Sequence, residues 1–292
     1  MFCLTYMRLF LKSKFHIMKK IFTVGICFLF ISQGITQFYY NDIIGTQQTN
    51  QQYKSLITHQ LKKVSAISYE GNNQPAQDFV LDQTIDLNKQ QVVTRSKSST
   101  NGEAFFISTY LRNRLTKTVD SSSSAINTVE YQYDLDGKIR SIHSVNKDFD
   151  GTLRSNELHS WFYNTSGLPE KMLRIKNNTD TTFVAFTYEG NNVAEETWRR
   201  NNKVTETYYY YYNPKNQLTD VVRYNRKAKQ MLPDFILEYD EKGRVVQMTQ
   251  TQSASANYLI WRYVYNTKGL KEKEMVYNKQ KEFLGKIEYN YQ

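Results

Sequence analysis

From Val129 onward the chain places large residues at alternate positions in short runs, each ending in a tyrosine. Seven runs repeat the pattern: Val129, Tyr131, Tyr133; His159, Trp161, Tyr163; Val184, Phe186, Tyr188; Tyr208, Tyr210, Tyr212; Phe235, Leu237, Tyr239; Trp261, Tyr263, Tyr265; Ile287, Tyr289, Tyr291. Residues at i, i+2 and i+4 share one face of a pleated strand, whereas a helix would scatter them. The positions between, such as Glu130, Gln132, Ser160, Glu238, Arg262 and Asn290, are mostly polar. The pattern therefore predicts half-buried antiparallel strands. Their spacing predicts a repeat built from one small unit.

Four residues after the first six tyrosines stand Gly137, Gly167, Asn192, Asn216, Gly243 and Gly269. Only glycine and, less readily, asparagine take a positive φ at low steric cost. Directly after those tyrosines come Asp134, Asn164, Glu189, Asn213, Asp240 and Asn266. An Asp or Asn opening and a Gly or Asn closing fit a type I turn with a bulge, so each unit reads as strand, tight turn, strand. Looser polar turns are expected at Lys147 to Gly151, Lys176 to Asp180, Arg199 to Lys203, Asn225 to Lys229, Gln252 to Asn257 and Asn278 to Lys281. The second strand has no single register: its first apolar residue falls six after the tyrosine at Ile139, Leu218 and Val245, but five after it at Leu168, Val193 and Leu270.

On these residues the chain resembles the YD-repeat family, also called RHS repeats, whose units carry a Tyr-Asp-x-x-Gly-Arg core. The matching segments are Tyr239, Asp240, Gly243, Arg244, Val245 and Tyr133, Asp134, Gly137, Lys138, Ile139, and the resemblance covers roughly residues 129 to 292. It implies an exported bacterial chain of β-hairpin repeats strung into a long, curved sheet. Large members coil that sheet into a shell around a toxic domain. This chain, with fewer repeats, is expected to enclose nothing and to deliver no toxin.

The N-terminal part is less regular. Lys19 and Lys20 precede an uncharged apolar run, Ile21 to Ile31, which suits a signal peptide and is too short to span a bilayer. The expectation is a signal peptide over residues 1–36, with translation starting at Met18. Cys27 follows Ile26 where a lipobox wants a small residue, so no lipoprotein is expected. Residues 37–128 are read as an N-terminal region. Tyr53, Leu56, Ile57, Leu61 and Val64 predict one short amphipathic helix over 47–64, capping the first edge of the sheet. Strands are expected at Val64 to Tyr69, Phe79 to Leu87, Gln91 to Arg95 and Phe105 to Leu111. Leu87 and Tyr110 continue the repeat spacing backwards, and the serines at 121–124 form a loop.

The fold class expected is thus all-β: antiparallel hairpin repeats, residues 129–292, in an extended, curved and twisted sheet. Export changes the rest of the picture. Removing residues 1–36 takes away both cysteines and five basic residues, so the net charge falls from +10 to +5 and no disulfide or thiol chemistry remains. With basic residues spread along alternating strand positions, a nucleic-acid partner is not expected. His59, His143 and His159 show no metal-ligand spacing, and no nucleophile elbow, P-loop or dinucleotide fingerprint occurs, so neither a metal nor a cofactor is expected. His159 occupies a bulky repeat position and reads as a packing residue. Carboxylate pairs such as Asp148 with Asp150, or Glu195 with Glu196, read as turn and strand residues, with an envelope glycosidase as the enzymatic alternative.

Aromatic residues inside the repeat columns are explained by cross-strand packing. Those that break the pattern, Trp198, Tyr209 and Tyr211, are the candidate ligand contacts, since flat rings with a polar edge stack on sugars and peptide side chains. The function expected is that of a non-catalytic scaffold or binding protein of the bacterial cell envelope, in the periplasm, on the outer surface or outside the cell. Its partner would be a protein or a cell-surface carbohydrate. No membrane span is expected in the exported chain.

Overall fold

The computed structural model describes residues 38–98, 102–121, 125–251 and 257–292. The proposed signal peptide, most of the serine run and the turn at 252–256 lie outside them. One helix, α1 (Asn41–Thr58), precedes eighteen strands: β1 (Lys63–Glu70), β2 (Val80–Asp86), β3 (Gln91–Ser98), β4 (Gly102–Leu111), β5 (Arg114–Ser121), β6 (Ile126–Tyr133), β7 (Ile139–Lys147), β8 (Leu153–Tyr163), β9 (Pro169–Lys176), β10 (Asp180–Glu189), β11 (Asn192–Arg200), β12 (Lys203–Tyr212), β13 (Leu218–Asn225), β14 (Gln230–Tyr239), β15 (Val245–Thr251), β16 (Tyr258–Tyr265), β17 (Lys271–Tyr277) and β18 (Phe283–Tyr291). Every strand pairs antiparallel with its sequence neighbours, and β1 pairs with β18 through Val64 opposite Tyr291 and Ala66 opposite Tyr289.

The sheet is therefore a closed up-and-down barrel. The extended open sheet expected from the repeats is corrected on this point. Strands carry a built-in twist that curls a long meander, and closure removes the edges that an open array must protect. The expectation that the repeats enclose nothing fails for the same reason. Five strands before the first regular copy raise the number to eighteen, and the barrel holds α1.

The turn reading is supported in atomic detail. In the first tight turn the Asp134 carboxylate accepts the Lys138 amide at 2.8 Å, and the Gly137 amide closes on the Asp134 carbonyl at 3.1 Å. Asn164, Asn213, Asp240 and Asn266 repeat the arrangement. A bulge lies just before each of these tyrosines, so that the tyrosine opposes the residue six after it, as Tyr133 opposes Ile139 and Tyr239 opposes Val245. The register is thus uniform apart from one copy, with Leu168 and Leu270 as last turn residues. The exception is Tyr188, which opposes Val193 because its turn is one residue shorter. There the left-handed residue is Gly190 (φ 60°) and not Asn192, which already begins β11.

The tyrosines do more than end strands. Each hydroxyl donates to the carbonyl opposite the preceding tyrosine: Tyr133 to Leu115 at 2.7 Å, Tyr163 to Ile139 at 2.7 Å, Tyr239 to Leu218 at 2.7 Å, Tyr265 to Val245 at 2.8 Å and Tyr291 to Lys271 at 2.6 Å. Tyr188 bonds Pro169 in the same way. The buried Tyr212 hydroxyl, next in line after the short turn, lacks this partner. The basic residue of the turn then lies over the next ring, Lys138 over Tyr163 at 5.5 Å and Arg244 over Tyr265 at 4.5 Å. A Tyr-Asp-x-x-Gly-Arg unit is thereby explained residue by residue.

Gly137 is constrained by its φ of 83°; a Cβ there would also meet the end of the flexible Arg114 side chain, which can move aside. Gly137→Ala is expected to destabilise the fold by about 2 kcal/mol, measured by urea unfolding. Adding Arg114→Ala should change that loss little, because the cost lies in the positive φ.

The helix begins and ends about six residues earlier than its apolar spacing predicts. It buries Thr46, Thr49, Tyr53 and Leu56, while Gln47, Gln48, Gln51, Lys54 and Thr58 reach water. It caps no edge, since none is left open. Its contacts fall at the tight-turn end of the barrel: Tyr53 stacks on Tyr110 with ring centroids 3.7 Å apart, Asn50 accepts the Leu115 amide at 2.8 Å, and the His59 ring lies 3.2 Å from the Lys268 carbonyl. The apolar core has two lobes. One gathers Tyr53 and Leu56 with β1–β5 and β16–β18; the other gathers Phe38 with β7–β13.

Candidate functional site

Strand alternation divides the sequence-predicted ligand residues between two surfaces. Tyr208 and Tyr210 are buried inside the barrel, so Tyr209 and Tyr211 face outward, with Tyr211 53% exposed. Trp198 faces inward, tilted against the rings of Tyr39 (4.5 Å) and Tyr208 (5.2 Å). The wall separates it from the other two, and the three form no single platform. Glu195 and Glu196 are likewise split, Glu195 outside opposite Tyr209 and Glu196 inside opposite Tyr208. Asp150 accepts the Thr152 amide within a loose turn, and Asp148 contacts Arg154.

The most constrained polar cluster is centred on Glu196, which is fully buried. One of its oxygens accepts the Tyr39 amide at 2.6 Å and the Trp198 indole N–H at 2.5 Å. The other accepts the Tyr40 amide at 2.8 Å and the Tyr210 hydroxyl at 2.6 Å. Four donors thus saturate the carboxylate. The residue before the helix, Tyr40, offers no side-chain cap, so a wall residue from β11 serves as the cap instead. A negative group at a helix N-terminus also meets the positive end of its dipole. Burial raises the Glu196 pKa above the usual carboxylate value, and the four donors pull the other way without cancelling it.

A second cluster holds the first turn of α1. Asp42 lies 2.7 Å from Nδ1 of His159 and accepts the Trp161 indole N–H at 3.1 Å. Nε2 of His159 lies 2.9 Å from Glu157, which in turn accepts a bond from Arg174 at 2.6 Å. Burial opposes a charge on the imidazole, but Asp42 and Glu157 outweigh it and push the His159 pKa up to about 9. Burial also opposes the Glu157 charge, and the bonds from His159 and Arg174 bring its pKa down to about 2. The result is an ordered row of alternating charge: Asp42, His159, Glu157, Arg174. Deeper along the wall, Arg223 bonds Asp234 at 2.6 Å and lies 3.4 Å from Glu206.

This chemistry suits holding a helix end. Both ring nitrogens of His159 are engaged, so it could ligate a metal only by giving up Asp42 or Glu157. Among the described residues no group of three or more His, Cys, Asp or Glu is placed to hold a metal ion. Sequence reasoning missed Glu196, Asp42, Glu157 and Arg174. The available signal was the column: Glu196 and Trp198 alternate on the face that pairs with Tyr208, where a carboxylate needs donors.

No family model matches the chain, and no curated protein matches it. Similar solved structures include a porin-like protein from Bacteroides uniformis ATCC 8492, 9% identical over 80% of this chain and 96% of that one, with a TM-score of 0.38. A porin-like protein from Bacteroides vulgatus ATCC 8482 is 11% identical over 80% of this chain and 98% of that one, at 0.29. The TcdB2-TccC3-Cdc42 structure is 12% identical over 73% of this chain but only 15% of that one, also at 0.29. Likenesses of this strength decide neither fold nor function.

Proposed function

We propose that the protein is a non-catalytic β-barrel scaffold of the bacterial cell envelope, exported to the periplasm, the outer surface or beyond, which offers its outer wall to a partner. The observation that carries this reading is the use made of the inner polar groups. Glu196, His159, Glu157 and Arg174 are engaged with one another or with the start of the chain's own helix.

The wall supports an aqueous setting. A lipid-spanning barrel faces an apolar band outward, where charged residues cost about 2–4 kcal/mol at the bilayer midplane. Here the outward positions include ion pairs such as Arg95 with Glu103, Lys117 with Glu130 and Lys273 with Glu288 among exposed apolar residues such as Ile67, Phe105, Phe162 and Val264, while the tyrosine and tryptophan columns face in. The tyrosine-repeat pattern and the apolar run in residues 21–31 support export.

A carbohydrate partner is the second reading, favoured by Tyr209 and Tyr211 on the outer face, where Tyr211 stands opposite Asp220. A glycan array and a peptide pull-down with the exported chain test both. Sugar binding lost in a Tyr209→Ala, Tyr211→Ala double variant, with an unchanged melting temperature, is the expected result for the carbohydrate reading. Peptide capture with no glycan signal would select a protein partner. Glycoside hydrolysis abolished by one carboxylate substitution would overturn the non-catalytic assignment.

A further inference from the structure

We propose that α1 is a releasable plug: Phe38–Thr58 opens from the barrel as a unit while the eighteen-strand wall stays closed, with Glu196 and the Asp42–His159 contact as its latch. The wall does not need the helix for its own pairing, since both edges of every strand are taken by other strands. Among the described residues, no backbone-to-backbone hydrogen bond joins 38–58 to the wall. The helix is tied on by side chains, and it passes to β1 through His59 to Lys62 alone.

The ties are unevenly placed. The start of the helix carries Glu196, His159 and Trp161, whereas the later turns carry the Asn50 bond, the Tyr53 stack and the His59 contact. One face, with Gln47, Gln48, Gln51 and Lys54, already meets water. Opening costs the burial of Phe38, Tyr53 and Leu56 in the two core lobes but breaks no strand pairing, so it can precede global unfolding as a separate step. Opening would uncover an apolar lining that includes Trp161, Phe186, Tyr208 and Tyr210.

The latch also sets a direction with pH. His159 faces Asp42 from α1, Glu157 from its own strand, the Tyr39 ring, and Arg174 from β9 beyond Glu157; Tyr131 from β6, Tyr163 from the end of β8 and Glu196 from β11 are the further titratable groups around this cluster. Opening removes Asp42 while Glu157 stays beside the ring on β8, so the imidazole loses one of its two carboxylate partners, and the closed state loses that part of its gain as pH rises toward about 9. Glu196, raised by burial, biases the same way.

Hydrogen exchange on the full chain tests the proposal. Amides of residues 43–58 are expected to exchange through an opening that leaves the wall strands protected, and Asp42→Asn should speed it at least tenfold without changing the wall. After correction for intrinsic exchange, that opening should grow between pH 7 and pH 9 in the native chain and grow less in His159→Gln. Helix and wall amides sharing one opening in both the native chain and Asp42→Asn would make α1 an integral core element and overturn the plug. An unchanged pH slope in His159→Gln would overturn the latch.

Discussion

Glu196→Ala is expected to cost about 4 kcal/mol of native-state stability, seen as a lower urea midpoint at unchanged slope. The substitution leaves two backbone amides, an indole N–H and a tyrosine hydroxyl without their acceptor in a site from which water is excluded. Glu196→Gln keeps the shape but turns one acceptor into a donor aimed at other donors, so a loss of about 2 kcal/mol is expected. Glu195→Ala, on the outer face one residue away, is the internal control and should move stability by no more than about 0.5 kcal/mol. Equal losses at the two positions would contradict the assignment of faces.

Stability should also fall on the alkaline side. The His159 pKa rises from 6.5 to about 9 on folding, and the side chain is only 13% exposed. Its contribution of about 3 kcal/mol is fully present below pH 6.5 and disappears as pH rises through about 9. Glu157 works in the opposite sense, with a pKa depressed from 4.5 to about 2, so its contribution is present above pH 4.5 and is lost as pH falls through about 2. The most stable window for this row of charges lies between about pH 4.5 and 6.5. In denaturant titrations across pH, His159→Gln should flatten the alkaline limb and leave a smaller acid limb; a native chain equally stable at pH 6 and pH 10 would rule out a buried imidazolium.

The repeat was legible because its causes are local. An alternating strand, an Asp or Asn that caps its own turn and a left-handed glycine each act within six residues, so Tyr133 through Gly137 announces itself. Closure was not, because it depends on Val64 meeting Tyr291 and on five early strands whose tyrosines are mostly absent. The helix boundary slipped for a related reason. Its second half shows an apolar stripe at Tyr53 and Leu56, whereas its first half is fixed by groups more than a hundred residues away, Glu157, His159 and Glu196. Reading His159 as a packing residue captured its place in the column and missed its charge, which needs Asp42 from α1. The off-pattern aromatics were real departures, but Trp198 departs inward to serve Glu196 while Tyr209 and Tyr211 remain outside.

The seam between β1 and β18 has a consequence for how the chain is made. Lys63 and Gln292 exchange backbone hydrogen bonds at 2.9 Å each, so β1 waits for β18 before its free edge is covered. Contacts between such distant parts of a chain form slowly, because the whole intervening loop must first be ordered. Hairpins β2 to β17 can zip in sequence as they emerge, each templating the next. Until β18 arrives, the growing molecule is a sheet with two exposed edges, one on β1 and one on the newest strand. The interval between completing β17 and docking β18 is therefore when this protein is most open to joining a second copy of itself edge to edge.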